Sequence, residues 1–574
     1  MIRHVVAWVT ETRVPAGRPV LTEGGSRRHK NFTLQGNRTS RGKEDAPQGG
    51  IQSLPLSSRG GGTGRGPKPP PDINSMKLQG GTATGSGNLI TATVHLSSMM
   101  MRIGGQEVPA GTGAWIPVVN PATGEVLDRV PAGGPEDVDA AVEAAGAAQE
   151  AWGARTSRER GKMLFHAAAV VRGTHEDLAR QLTAEQGKPL KEAVDEIRGF
   201  ANVLEYYASV AGALSGEAVP LGSTGDALVV REPIGVCGAI LPWNMPAIIM
   251  GWKVGPALVT GNALVVKPAS SAPLTCLRLA AILEESGLPP GVLNLVTGTG
   301  PAAGNALAAH PCIGKISFTG DAATGQKVRA AAAPHLKEVV LELGGSDPMI
   351  VWKDAPLEKA VDGAVRGRFY NAGQICNAVK RLYLHEAIAD RFLERLEQRV
   401  RQIRVGNGMD PATTMGPLQN RPQLERIISF VDDVREERGG TIRCGGERMT
   451  GGDLERGFFY APTLITGIRP DAGILCEEVF GPILPVMTFP DLDTAIAEAN
   501  RTRYGLGASV WTSDLHVVKQ VFARVRAGFV WVNRHMTVPP EVPFGGLKES
   551  GIGRENGIQA LSRWTRSRTL LLAW

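Results

Sequence analysis

Between residues 236 and 345 short apolar runs alternate with helical stretches, and this alternation constrains the fold more than any other feature. "VCGAILP" and "GNALVVKPAS" read as buried strands, "APLTCLRLAAILEESG" as an amphipathic helix stopped at Gly287, and "GVLNLVTG" as a strand again. "PAAGNALAAHP" is then a helix, "GKISFTG" a strand, "ATGQKVRAAAA" a helix and "KEVVLELGG" a strand. Apolar runs without polar alternation belong to strands covered on both faces. Repeated strand–helix–strand units therefore predict a parallel sheet with helices on each side.

Other segments extend this core. "WIPVVNPATGEVLDRVPAG" alternates apolar and polar residues around a Pro-Ala-Thr-Gly turn and predicts a hairpin. "PEDVDAAVEAAGAAQEAW" predicts a helix whose acidic first turn suits the helix dipole. A second α/β stretch starts at "PMIVWKDAPLEKAV" and runs to about residue 540. No fixed-period repeat occurs.

The first 98 residues differ in kind. "SSRGGGTGRGPKPPP" is low-complexity, and the stretch carries little periodicity, which predicts a disordered leader. It reads in three ways: a start codon placed too early, with the protein beginning near the methionines at 99 to 101; an Arg-rich organelle transit peptide; or a flexible tail. The net charge of +6 belongs to this leader, because residues 1–100 hold 13 Lys/Arg against 5 Asp/Glu, a surplus of 8. The rest of the chain carries −2 (6 less 8), which gives no case for nucleic-acid binding. No apolar run is long enough to predict a membrane span. Six cysteines in 574 residues, without CxxC or CxxH spacing, argue for a reducing compartment, the cytoplasm, and against a zinc site.

Four places can carry chemistry. "SFTGDAATGQKV" sets Gly320 and Gly325 where a strand passes into a helix, and a helix N-terminus attracts phosphate. It is neither GxGxxG nor a Walker A sequence, and a plain strand-to-helix turn explains it as well. "LPWNMP" puts Trp243 and Asn244 at the carboxyl end of a strand, the edge where ligands bind an open parallel sheet. The Asn244 amide suits either an oxyanion donor or a turn. In "LELGGSDP", Glu342 ends a buried strand, where burial raises a carboxyl pKa as a general base requires; a salt-bridged glutamate fits equally. In "YNAGQICNAVKR", Cys376 follows Asn371, Gly373 and Gln374, predicting an exposed, polar backbone rather than the apolar surroundings of Cys237 and Cys276.

Read together, "PWN", "GNALVVKPAS", "FTGDAATG", "LELGG", "GQICNAVKR", "EEVFGP" and "PFGGLKESGIGRE" occur in an order that resembles the aldehyde dehydrogenase superfamily, from about residue 102 to the C-terminus. The resemblance implies a Rossmann-like NAD(P)-binding domain (102–215 and 234–342), an α/β catalytic domain (343–560) and a small β oligomerisation element (216–233 and 561–574). It implies oxidation of an aldehyde to the acid through a thiohemiacetal and a thioester, without a metal, by a dimer or tetramer. Cys376 resembles the nucleophile, Glu342 the base, and Asn244 with the Cys376 N–H the oxyanion hole. Lys253 and Glu555 resemble a proton-relay pair, for which a structural ion pair is the plain alternative.

On the cofactor side the resemblance implies Leu241, Trp243, Lys267, Ser270, Gly300, Thr319, Gly320, Asp321, Gly325, Gly344, Gln423, Glu478 and Phe480. Two positions depart from the usual pattern. Ser270 stands where many NAD-specific members have glutamate; without that charge a 2′-phosphate is not repelled, so NADP is expected to be accepted beside NAD. Asp321 stands where serine is usual, and its carboxylate would repel the pyrophosphate unless it turns away to cap the helix. The loop "VNRHMTVPPEVPFGG" corresponds to the substrate tunnel, where Arg534 and His535 are the polar or cationic candidates, Arg534 for a substrate carboxylate. Small aliphatic aldehydes and semialdehydes are the expected substrates. Two rivals share the fold: a dehydrogenase that passes its thioester to coenzyme A, and a silent structural member.

Overall fold

The computed structural model describes residues 99–436 and 439–573. The expected disordered leader lies outside the described residues.

The runs singled out in the sequence form the middle of an eight-stranded sheet. Its order is Gln106–Val108, Met101–Ile103, Leu293–Leu295, Ala263–Lys267, Val236–Ile240, Lys315–Thr319, Glu338–Glu342 and Gly551–Ile552. The five central strands are parallel, and the pairings at the edges are antiparallel. Ala263–Lys267 and Lys315–Thr319 are buried at every residue, as strands with helices on both faces must be. The last strand, Gly551–Ile552, corrects one expected boundary: it pairs Leu341 with Ile552 and Glu342 with Gly551, while Leu547–Lys548 just before it pair with Tyr504–Gly505. The second domain therefore does not run unbroken to 560. No periodicity marks a two-residue strand, so this return was invisible in the sequence.

A seven-stranded sheet follows, in the order Thr441–Cys444, Thr463–Thr466, Ile483–Phe489, Val379–His385, Asp347–Val351, Gly507–Trp511 and Phe529–Val532. Only its first pairing is antiparallel. Glu217–Pro220, Asp226–Pro233 and the tail strand Thr565–Leu572 make a separate three-stranded antiparallel sheet. It leaves side chains of several apolar residues in the open, among them Val230, Leu570 and Leu571.

The two large sheets direct their carboxyl ends to one place. Glu342 ends a strand of the first sheet; the chain crosses at Leu343–Ser346 and enters the second sheet at Asp347. The turn bearing Cys376 immediately precedes Val379–His385 of the second sheet.

Candidate active site

Cys376 lies where two cavities meet. One, about 260 Å³, is lined by Leu241, Trp243, Thr319, Gly320, Asp321, Glu342, Gly344, Gln423, Glu478 and Phe480, among others. The other, about 510 Å³, opens toward Trp252, Tyr370, Arg534, His535 and Phe544. Asn244, Ile249 and Cys376 belong to both walls.

The turn carrying the thiol corrects the expectation of an exposed backbone. Asn371 and Gln374 are buried, and Cys376 is half-buried against the main apolar core. Their polarity serves internal bonding. Asn371 Nδ2 donates to the Asn244 carbonyl at 3.0 Å, and Gln374 Nε2 to the Asn371 carbonyl at 3.0 Å. Gln374 Oε1 accepts from the Gln419 N–H at 2.9 Å. Asn371 and Ala372 take left-handed φ values of 51° and 52°. This strained turn is held from outside: the Glu192 carboxylate accepts the Asn371 N–H at 2.8 Å.

Asn244 is fixed with equal care. Its side-chain Nδ2 donates to the Gln374 carbonyl at 2.9 Å, which leaves one amide hydrogen for the cavity. Its own carbonyl accepts from Lys188 Nζ at 2.9 Å, and Lys188 is paired with Glu196, both fully buried. Glu196 also takes the N–H of Ala247 at 2.9 Å, at the start of the helix Pro246–Val259. Lys188, Glu192 and Glu196 were missed in the sequence. They stand in "EQGKPLKEAVDEI", which reads only as the polar face of a helix; the signal would have been carboxylates falling on positions a helix buries.

Burial pushes the Cys376 thiol up to about 12; Lys380 pulls it down, and Glu478, Asp347 and Glu342 add to the rise. Burial likewise raises the Glu342 carboxyl well above the ordinary carboxylate range; the Glu555 charge adds to this and Lys253 and Arg554 oppose it. Both Glu342 oxygens are buried without a hydrogen-bond partner, in a wall of the smaller cavity. A buried, unpaired carboxyl is costly and is found where it has work to do. Behind it, Lys253 Nζ donates to Glu555 at 3.0 Å and to Ser317 Oγ at 2.8 Å, and Ser317 donates to Glu555 at 2.6 Å. This fully buried trio lines neither cavity.

The smaller cavity offers groups that suit part of a dinucleotide. Thr319 Oγ1 is buried, faces it and has no partner. Asp321 caps the helix Ala322–Ala332, accepting the Thr324 N–H at 2.9 Å, which turns its charge toward that helix. Trp243 and Phe480 meet edge-on with centroids 5.5 Å apart. A Cβ at Gly344 would collide with the Glu478 carboxylate, so a larger residue there would displace that side chain. Thr319, Gly320, Gln423, Glu478 and Phe480 would hold the cofactor, together with Arg426. Arg426 was not foreseen; it lies one helical turn from Gln423 on Arg421–Glu436 and brings a cation to the cavity.

Four expected cofactor residues do not reach this cavity. Lys267 is buried, with its pKa lowered to about 8 by burial, and donates to the Pro268 carbonyl at 2.8 Å. Ser270 stands outside the lining, as does exposed Gly300. Gly325 corrects its expected role: a Cβ there would strike the Leu343 side chain at 2.5 Å, so this glycine lets the helix pack on the strand end.

On the larger side, His535 is not cationic. Its Nδ1 sits 2.8 Å from Ser509 Oγ and its Nε2 2.8 Å from the Asn377 carbonyl, and burial lowers its pKa to about 3. The neutral ring thus donates from Nε2 and accepts at Nδ1. Arg534 is exposed at the mouth, with Lys359 and Arg366 in the same wall. Among the described residues no group of three or more His, Cys, Asp or Glu could hold a metal ion, and no helix is long and apolar enough to cross a membrane.

Comparison with known proteins places this architecture. The model of the aldehyde dehydrogenase family matches residues 108–570. Betaine aldehyde dehydrogenase of Brucella anthropi is 41% identical over 469 residues, 82% of this chain and 96% of that protein. The crystal structure of betaine aldehyde dehydrogenase from Staphylococcus aureus in complex with NAD+ superposes with a TM-score of 0.81 at 37% identity, covering 83% of this chain and 95% of that one. An NADP-dependent enzyme of E. coli superposes equally, with a TM-score of 0.81 at 37% identity over 83% and 98%.

Proposed function

The chain belongs to the aldehyde dehydrogenase family, and on that premise we propose that it turns a small aldehyde into the carboxylic acid, with Cys376 as nucleophile and Glu342 as general base. It is an oxidoreductase that acts on aldehydes with a nicotinamide cofactor. The observation that carries the finer reading is the position of Cys376, with Asn244, in the wall shared by the two cavities.

The Cys376 thiolate, its proton given up to solvent before the attack, adds to the aldehyde carbon, and the carbonyl oxygen becomes an alkoxide. The free hydrogen of Asn244 Nδ2 and the Cys376 N–H receive that charge; donors already fixed by Gln374, Lys188 and Asn371 need no reorganisation. A nicotinamide cofactor held by Thr319, Gly320, Glu478 and Phe480 would supply the hydride acceptor for the tetrahedral carbon. Glu342, whose raised pKa makes it a strong base for a carboxylate, takes the proton from the water that attacks the thioester. Lys253, Ser317 and Glu555 form the buried hydrogen-bonded group next in line for that proton. The unpartnered Glu342 carboxylate supports hydrolysis over transfer to coenzyme A, and the complete constellation speaks against a silent structural member.

Acceptance of NADP beside NAD rests on the family resemblance at Ser270, which brings no negative charge to repel a 2′-phosphate but lies outside the smaller cavity. The cations Lys359, Arg366 and Arg534 at the mouth favour a semialdehyde with a distal carboxylate. A second reading rests on the rings Trp252, Tyr370, Trp511 and Phe544 in the same cavity, which suit a quaternary ammonium aldehyde such as betaine aldehyde. The exposed apolar stripe on the three-stranded sheet, with Leu570 54% and Leu571 66% exposed, supports self-association as a dimer or tetramer. Six free thiols suit the cytoplasm.

A panel of succinic semialdehyde, lactaldehyde, glyceraldehyde, propanal and betaine aldehyde, each with NAD and NADP, tests the reading. A dominant kcat/KM for succinic semialdehyde supports the anionic substrate, and dominance of betaine aldehyde supports the aromatic one. No reduction of either cofactor with any of them would overturn the proposal.

A further inference from the structure

One buried cation beside the thiol has no part in the chemistry above. Lys380 is 1% exposed, near the start of the strand Val379–His385, where neighbouring Val379, Leu382 and Leu384 are core residues. An apolar side chain would pack there without the cost of burying an ammonium, which is offset only by full pairing. The pairing is specific. Lys380 Nζ donates to the Ile375 carbonyl at 2.8 Å and to the carbonyl of Cys376 itself, and stands 3.3 Å from Oε1 of Glu478. It also lies 5.7 Å from the centre of the Phe480 ring.

The surroundings are shaped to admit this arrangement. Glu478 Oε1 accepts the Gly345 N–H at 3.0 Å. A Cβ at Gly345 would lie 2.7 Å from the Cys376 carbonyl oxygen, and one at Gly344 would collide with Glu478. The two glycines after Glu342 thus leave room for the two groups that Lys380 holds together.

We propose that Lys380 is a positioning residue that ties the backbone of Cys376 to the cofactor-facing carboxylate of Glu478, coupling thiol reactivity to cofactor binding. Its positive charge also favours the thiolate. The charged groups facing Cys376 are Lys380 on the following strand, Glu478 in the 477–480 turn, Asp347 at the start of the adjacent strand and Glu342 across the cavity; His535, bonded to the next residue's carbonyl, is neutral. Lys380 is the one cation in this set.

The inference rests on the reading of Cys376 as nucleophile, but its test does not. The rate of Cys376 alkylation by iodoacetamide is followed by peptide mass spectrometry from pH 6 to 10 in the full chain, with NAD affinity measured by fluorescence titration. In Lys380→Met the alkylation profile is expected to move upward by about one pH unit and the NAD Kd to rise about tenfold, while Lys380→Arg keeps most of both. An unchanged profile and an unchanged Kd in folded Lys380→Met would overturn the proposal. Should that variant not fold, Glu478→Gln decides: a coupled pair requires the alkylation profile of Cys376 to shift, and an unshifted profile refutes the coupling. Turnover by Cys376→Ala would instead remove the nucleophile assignment, leaving the effect of Lys380 on the thiol still measurable.

Discussion

The two cavities that meet at Cys376 are built from different material. The smaller is walled mainly by the carboxyl ends of sheet strands and the turns that follow them, Leu241 to Asn244, Thr319 to Asp321 and Glu342 to Gly344, with Gln423 and Arg426 added from one helix. The larger is walled by helix faces and by the loop 533–538, with Lys359, Arg366 and Arg534 among them. Strand ends are held by a ladder on each side, which fixes the position of a group placed there. Helix faces and loops accept substitution without disturbing a sheet. On the proposed reading the difference is a division of labour: the strand-end side would fix the reaction, and the loop side would select the aldehyde.

Replacing groups on the two sides breaks or sharpens that division. The largest effect is expected for Cys376→Ala at the junction, with kcat/KM falling by roughly a thousandfold or more and NAD affinity kept. Turnover assays with fluorescence titration check both, and retained turnover would remove the nucleophile. Asn244→Ala is expected to lower kcat by about a hundredfold, as for loss of one oxyanion donor, for every aldehyde alike. A loss confined to one substrate would move Asn244 to the selecting side.

Arg534→Ala is expected to act on one class only, raising KM for a carboxylated aldehyde about tenfold and leaving neutral aldehydes within about twofold. A uniform loss would contradict the division. Ser270→Glu is expected to turn the NADP/NAD ratio of kcat/KM toward NAD by about tenfold, read from paired assays. The smallest effect is a dependence of stability on pH. Because Glu342 has a folded pKa above its ordinary 4.5, the folded state binds more protons than the unfolded one between those two values, and stability falls as pH rises through that window. Glu342→Gln lacks this loss, so its Tm relative to the unaltered protein is expected to increase with pH; a constant difference would deny Glu342 its raised pKa. Glu185 and Glu192, raised by burial to about 7 and about 8, impose the same trend on both proteins and cancel in the difference.

The same division explains what was legible in the sequence. Fully apolar runs such as "ALVVK" and "KISFT" gave away the parallel strands, because covering both faces leaves no polar position. The motifs at strand ends stood out by their order, with Glu342 on the last residue of its strand and Asn244 and Cys376 on the turns beside strands, and the family resemblance joined them. The supports did not stand out. Lys188 with Glu196, Glu192 with Asn371, and Lys380 with Glu478 are pairs separated by 8, 179 and 98 positions, and nothing local to one partner announces the other. The expected exposure of the Cys376 turn failed for the same reason: Asn371 and Gln374 look solvated until their buried partners are known. His535 looked like a candidate cation until Ser509 and Asn377 were seen to occupy both ring nitrogens.

The most direct test is a rapid-mixing experiment on Glu342→Gln with a good aldehyde and NAD, followed by intact and peptide mass measurement. The account predicts a burst of reduced nicotinamide equal to the active sites, almost no steady-state turnover, and an acyl group on Cys376. Absence of the burst, or an acyl group on any other residue, would contradict it.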